Sequence, residues 1–202
     1  METKWVYLIR HGKIAWDDGQ RSYIGQLDIP LSEEGRKQVR QLNARMSKIK
    51  LDAILCSDLS RSLDSAAPIA ESHGLVVQVC PDLREISMGD WEGLTFAEVA
   101  RRFPKEFKLR GMDIGYFYPP HGESFAQCST RVVAAFHRIV ESPAENIAII
   151  THAGVNRVLL CYLLGMPLAN LFRITQDYAC INVIAVGDFG FRVKRLNAVS
   201  QC

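Results

Sequence analysis

The sequence predicts an α/β fold, a three-layer α/β/α sandwich around a mostly parallel central sheet. Short apolar runs of strand length alternate with longer segments of helical periodicity along the whole chain. The connections between them are short, which suits a sheet covered by helices on both faces. Neither an internal repeat nor a low-complexity linker interrupts the 202 residues, a length that fits one large domain or two small ones.

Trp5–Ile9 reads as a short buried strand, followed by an irregular stretch over 13–31 rich in Gly, Asp, Gln and Ser. Ser32 is a suitable N-cap, with Glu33 and Glu34 in the first turn, where acids suit the helix dipole. Val39, Leu42, Met46 and Ile49 keep an approximately helical spacing through the segment that follows. A second strand is expected over Ala53–Cys56, then a helix running to His73 and stopped by Gly74. Val76–Val79 forms a third strand candidate. From Pro81 to Gly122 the pattern is less regular, with one helix expected near Thr95–Phe103 and ended by Pro104. A longer helix from about Ser124 to Val140 precedes the strand Ile147–Thr151, and another helix begins near Gly154. Ile181–Val186 and Phe191–Leu196 read as a hairpin across Gly187–Gly190.

Composition narrows the function. Lysine and arginine number 24 against 22 acids, a formal charge of +2, so the chain carries no basic footprint for nucleic acid. No apolar run approaches the length of a membrane span, and no secretory signal precedes the early Arg10-His11 pair. The six cysteines show no CxxC pair or short metal-ligand spacing, which points to free thiols in a reducing cytoplasm. Phosphate-loop, dinucleotide and nucleophilic-serine motifs are absent.

In parallel sheets the functional groups gather beyond the carboxyl ends of the strands. Three expected strand ends are notable. Ile9 gives way to Arg10-His11, Cys56 to Ser57-Asp58 with Arg61 a turn later, and Ile150 to Thr151-His152. Singly, each is as readily a turn residue or a solvated cation. Together, two arginines and two histidines on one sheet edge fit phosphoryl transfer. Guanidinium groups hold phosphate oxygens and stay charged when desolvated, and an imidazole kept neutral by flanking arginines attacks phosphorus. Gly12 is expected to leave room for a bound anion.

"LIRHG" at 8–12 resembles the signature of the histidine phosphatase superfamily, which includes cofactor-dependent phosphoglycerate mutases and many small phosphatases. So do "GQLDIPLSEEGRKQ" at 25–38, "LCSDLSRSLDSA" at 55–66, "LREISMGDWEGLT" at 83–95, "PHGES" at 120–124 and "IITHAGVNRVLL" at 149–160. They stand in the family's order. The resemblance implies a phosphoglycerate mutase-like fold and one domain over 1–202, with residues about 81–122 as an irregular cap-like insertion over the site. It makes His11 the nucleophile and places Arg10, Arg61, His152 and backbone near Ala153 around the phosphate. Glu85 becomes the general acid and base, a role the residues alone leave open between Glu85, Asp90 and Glu92.

The chain departs from the family's common Glu and Thr after the glycine, and from an Asn farther on, with Lys13, Ile14 and Asp17. Lys13 or Arg21 is then a candidate replacement donor, and Gly25 a candidate contact. Trp91, Tyr116, Phe117 and Tyr118 either wall a leaving-group pocket or pack the cap, and His121 is either an exposed loop residue or a substrate contact. "GDWEGLTFAEVARRFPKEF" and "YPPHGES" resemble the small bacterial phosphatases, including α-ribazole phosphatases and broad-specificity enzymes. The expectation is a cytoplasmic phosphatase acting on a small-molecule phosphomonoester, as monomer or homodimer, without cofactor, metal, nucleic acid or membrane. Mutase-type phosphoryl transfer and a non-catalytic phosphate-binding module are the alternatives.

Overall fold

In the computed structural model, which describes residues 3–16 and 19–199, the first apolar run becomes strand β1 (Lys4–Arg10). Asp17 lies outside the described residues. β2 (Ala53–Cys56), β3 (Val77–Val79), β4 (Asn146–Thr151), β5 (Ile181–Gly187) and β6 (Gly190–Ala198) complete one sheet in the order β3-β2-β4-β1-β5-β6. The first four strands of that order are parallel, and β5 and β6 run antiparallel as a hairpin. Ile9 pairs with Ile150 on one side and Ile181 on the other, while Cys56 also pairs with Ile150. This register brings the ends of β1, β2 and β4 to one edge.

Helices α1 (Glu33–Met46) and α2 (Ser60–His73) cover one face, packing Leu42, Met46 and Ile69 onto Ile9, Ile54 and Ile150. Two shorter helices, α3 (Phe96–Arg102) and α4 (Pro104–Met112), lie in the insertion. α5 (Phe125–Glu141) and α6 (Ala153–Leu164) cover the other face, with Val132, Phe136 and Leu159 against Val6, Leu8 and Ile149. Each fully buried aliphatic side chain stabilises the fold by about 1.5–3 kcal/mol. No helix among the described residues is long and apolar enough to cross a membrane.

Local chemistry sets the helix ends. The Ser32 hydroxyl accepts from the Gly35 N–H at 3.0 Å, and Gly74 closes α2 at φ +64°. Thr95/Glu98 and Ser124/Gln127 form capping boxes on α3 and α5. Pro104 departs from its expected role as a stop. It occupies the first turn of α4, where its missing N–H has no intrahelical acceptor to satisfy.

Between β3 and α5 the chain adds no strand to the sheet. It folds back over 21–25 instead, with Tyr23 N–H donating to Leu94 O and Phe96 N–H to Arg21 O, both at 2.9 Å. Tyr23, Trp91 and Val99 form a small core there, with Phe103 and Phe117 packed against it. Trp91 is completely buried, so its side chain serves packing and does not wall a substrate pocket. Phe117 stacks on it at a centroid distance of 5.5 Å, whereas Tyr116 and Tyr118 stand exposed on the surface.

Candidate active site

At the shared strand edge lies a cavity of about 320 Å³ lined by Arg10, His11, Arg61, Glu85, Ala153 and Tyr178, with Ile14, Trp16, Gln20, Ser22 and Ile24 on its outer wall. A larger groove of about 750 Å³ between α5 and β2 contains no histidine and lies on another part of the sheet.

His11 follows the last residue of β1 and is held at both ends by the sheet. Its N–H donates to Thr151 O at 3.0 Å and its carbonyl accepts from Ala179 N–H at 3.1 Å. Its Nδ1 lies 2.7 Å from Gly12 O. A carbonyl only accepts, so Nδ1 carries the ring proton and Nε2 keeps its lone pair. Burial first, then the charges of Arg10 and Arg61, hold this imidazole well below the ordinary histidine range.

His152 caps α6 and is fully buried, its ring centroid 5.0 Å from that of His11. Arg61 Nε, which can only donate, reaches its Nδ1 at 3.3 Å, and its Nε2 stands 2.7 Å from Ser57 Oγ. Burial, then His11, Arg61 and Arg10, lower its pKa as well. The sign for stability follows from linkage. Unfolded histidines take up protons near pH 6.5, whereas these two folded rings do not, so their contribution is present above that pH and is lost as pH falls. The expected outcome is neutral-form ring resonances for both residues from pH 7.5 to 5.5, with falling stability over that window. Nuclear magnetic resonance titration and thermal melts check it.

Arg61 is buried at the start of α2, with Nη2 donating to Gly25 O at 2.6 Å and Nη1 to Leu27 O at 2.8 Å. Gly25 therefore orients the arginine through its carbonyl. Arg10 Nη1 donates to Gln176 O at 2.7 Å, its guanidinium lies 3.7 Å from the Tyr178 ring centroid, and its buried Nε has no partner among the described residues.

Of the three candidate carboxylates, only Glu85 reaches the cavity. Its Oε2 accepts from Gly154 N–H at 3.0 Å, and its Oε1 from Val155 N–H at 3.2 Å and Ile86 N–H at 3.0 Å. An acid at the amino end of α6 is favoured by the helix dipole. A Cβ on Gly154 would stand 2.5 Å from Glu85 Oε1, so any side chain there would displace the carboxylate. The Glu85 carbonyl is fixed too, by Gln26 Nε2 at 3.0 Å and Arg131 Nη2 at 3.2 Å. Glu92 is consumed instead by the N–H groups of Gly25, Gln26, Leu27 and Met88, and Asp90 pairs with exposed His121 at 3.0 Å. His121 is thus a surface loop residue outside the cavity lining.

Lys13 stands outside the cavity lining. Its ammonium pairs with Glu34 in the first turn of α1, outside the cavity. Arg21 is exposed and likewise absent from the lining. The reason for Gly12 also differs from the expectation of space for an anion. A Cβ there would meet Gly35 O at 2.7 Å and Val39 Cγ2 at 3.1 Å, so the glycine admits α1. Sequence reasoning passed over Tyr178 and Gln176. Their signal was position alone: both immediately precede β5, whose first residue pairs with Ile9 at the active edge.

Comparison with known proteins places the chain in a family. Residues 6–199 match the histidine phosphatase superfamily (branch 1). An adenosylcobalamin/α-ribazole phosphatase of Escherichia coli is 29% identical over 195 residues, 96% of this chain and 95% of the relative. A glucosyl-3-phosphoglycerate phosphatase of Mycobacterium tuberculosis is 32% identical over 179 residues, 84% of this chain and 79% of the relative. The crystal structure of the α-ribazole phosphatase from Shigella flexneri superposes with a TM-score of 0.88 at 28% identity, covering 96% of each chain. The chain belongs to the histidine phosphatase superfamily, branch 1.

Proposed function

We propose that this protein hydrolyses a small-molecule phosphomonoester through a phosphohistidine formed on His11. The observation that carries the reading is the His11 ring itself: Nδ1 is tied to Gly12 O, and Nε2 is without a partner among the described residues, in a cavity shared with two arginines and Glu85. In the first step the Nε2 lone pair forms a bond to phosphorus as the ester P–O bond breaks, and Glu85 gives its proton to the leaving oxygen. In the second, Glu85 takes a proton from water, whose oxygen displaces Nε2 and frees inorganic phosphate. Arg10 and Arg61 stabilise charge on the equatorial oxygens, assisted by the amino end of α6 at Ala153, and His152 joins them by turning its Nε2 proton from Ser57 towards the phosphate. The 81–122 segment acts as a cap within one domain.

Relatives carry names that specify adenosylcobalamin/α-ribazole phosphatase, glucosyl-3-phosphoglycerate phosphatase and phosphoserine phosphatase activities, which supports a phosphatase without fixing one ester. Of these, an α-ribazole phosphatase or a broad-specificity enzyme is the reading we adopt for this chain. The test is trapping with a ³²P-labelled ester by rapid quench into alkaline detergent. An acid-labile, base-stable phosphoenzyme with net phosphate release is expected. Failure to release phosphate from a phosphomonoester panel would falsify the reading, and isomerisation without net release would favour a mutase.

A further inference from the structure

We propose that a buried network of three amides, Asn156, Gln176 and Asn182, orients Arg10 for phosphate, with Gln176 as the positioning residue. This deepens the phosphatase reading and rests on it.

All three side chains are buried, and none lines the cavity. Gln176 and Asn182 face each other as a reciprocal pair. Gln176 Nε2 donates to Asn182 Oδ1 and Asn182 Nδ2 to Gln176 Oε1, both at 2.9 Å. Asn156 Nδ2, on α6, donates to the same Gln176 Oε1 at 2.9 Å. The outer contacts fix which way the pair points. Asn182 Nδ2 also donates to Leu8 O on β1 at 3.0 Å, and Asn182 Oδ1 accepts from Asn197 N–H on β6 at 2.9 Å. A carbonyl only accepts and an N–H only donates, so neither amide of the pair can be turned over. Thr151 Oγ1, one residue before His152, donates to Asn156 Oδ1 and anchors the network at the end of β4.

The network stands where regular structure does not reach. Residues 175–177 belong to neither helix nor strand, and side chains meet their backbone instead. Gln176 Nε2 donates to Thr175 O at 2.8 Å, and Asn197 Oδ1 accepts from Asp177 N–H at 2.7 Å. The Gln176 carbonyl between them is thereby held, and it is the one acceptor of the Arg10 guanidinium among the described residues. Arg10 Nε is buried without a partner there, and the Tyr178 ring flanks the guanidinium at 3.7 Å. The Gln176 carbonyl therefore decides which N–H groups of Arg10 are left for an oxyanion. Recognition by a guanidinium fork is directional, and a displacement of about 1 Å costs on the order of 10²-fold in rate. Apolar side chains would fill the same volume with less desolvation, but they would not hold a carbonyl in one direction.

The experiment is a double-mutant cycle between Gln176→Met and Arg10→Ala. It is read by kcat/KM for p-nitrophenyl phosphate and by orthovanadate affinity from calorimetry. Gln176→Met is expected to cost about tenfold or more in both, with the near-ultraviolet circular dichroism of wild type. In the Arg10→Ala background the same substitution is expected to cost less than about twofold, because the group it positions is gone. Asn156→Leu removes one arm of the network and should show the same dependence on Arg10 with a smaller loss. It carries the cycle if Gln176→Met does not fold. Equal losses in both backgrounds would mark the amides as scaffolding and overturn the proposal. So would a Gln176→Met enzyme within about twofold of wild type in both readouts. Failure of both variants to fold overturns it as well, since the network would then belong to the fold alone. If wild type neither releases phosphate from p-nitrophenyl phosphate nor binds orthovanadate, the phosphatase reading fails and this one falls with it. Binding without turnover removes the phosphatase reading and leaves the vanadate cycle to decide the role of the amides.

Discussion

Replacing His11 by alanine is expected to lower kcat for p-nitrophenyl phosphate by roughly 10⁴-fold or more and to abolish the trapped phosphoenzyme. No neighbouring group can substitute for it. Both nitrogens of His152 are engaged, by Arg61 at 3.3 Å and Ser57 at 2.7 Å. The variant keeps both arginines, so it should still bind inorganic phosphate, measurable by calorimetry. The fold should persist too, because the strand register and the backbone bonds at position 11 do not involve the imidazole. Activity within tenfold of wild type, in a folded variant, would remove His11 from the mechanism.

Glu85→Gln is the second large effect, with an expected loss of about 10²–10⁴-fold for esters whose alcohol is a poor leaving group. The amide is almost isosteric, but it neither gives nor takes the proton. It also offers one acceptor oxygen where the carboxylate now uses two, for three N–H groups. The loss should shrink for p-nitrophenyl phosphate, whose leaving oxygen departs without protonation. Comparing an alkyl and an aryl phosphate therefore separates proton transfer from misfolding. A loss that is the same for both esters would reduce Glu85 to a structural acid.

How far the site was legible depends on how local its causes are. Arg10, His11 and His152 were readable because an apolar run ending in polar residues marks a strand edge without further information. Arg61 was readable for the same reason, one turn beyond β2. The choice among Glu85, Asp90 and Glu92 was not, since nothing local shows that Glu92 is occupied by four backbone N–H groups from two segments. Only resemblance to a family singled out Glu85. Tyr178 escaped because its relevance depends on β5 running antiparallel to β1. In a parallel strand, the preceding residue would sit at the opposite edge. Gly12 was read as room for the ligand and Trp91 was left open between pocket wall and cap packing, whereas their partners are protein, the carbonyl of a helix 23 residues away in sequence and a cap core. Pro104 shows a different limit: the residue that cannot continue a helix is also favoured to begin one.

The close approach of Gly12 to Gly35 has a consequence for how the molecule fluctuates. Just as Gly12 has no room for a Cβ, one on Gly35 would stand 2.0 Å from Lys13 O. Gly12 N–H is meanwhile bonded to Ser65 on α2 at 3.1 Å. The loop that carries His11 is therefore wedged between two 14-residue helices, main chain against main chain on α1 and through the Ser65 hydroxyl on α2. Local opening of such a loop cannot precede the lifting of α1. Thermal excursions that unseat His11 belong with the costly, cooperative openings of the core.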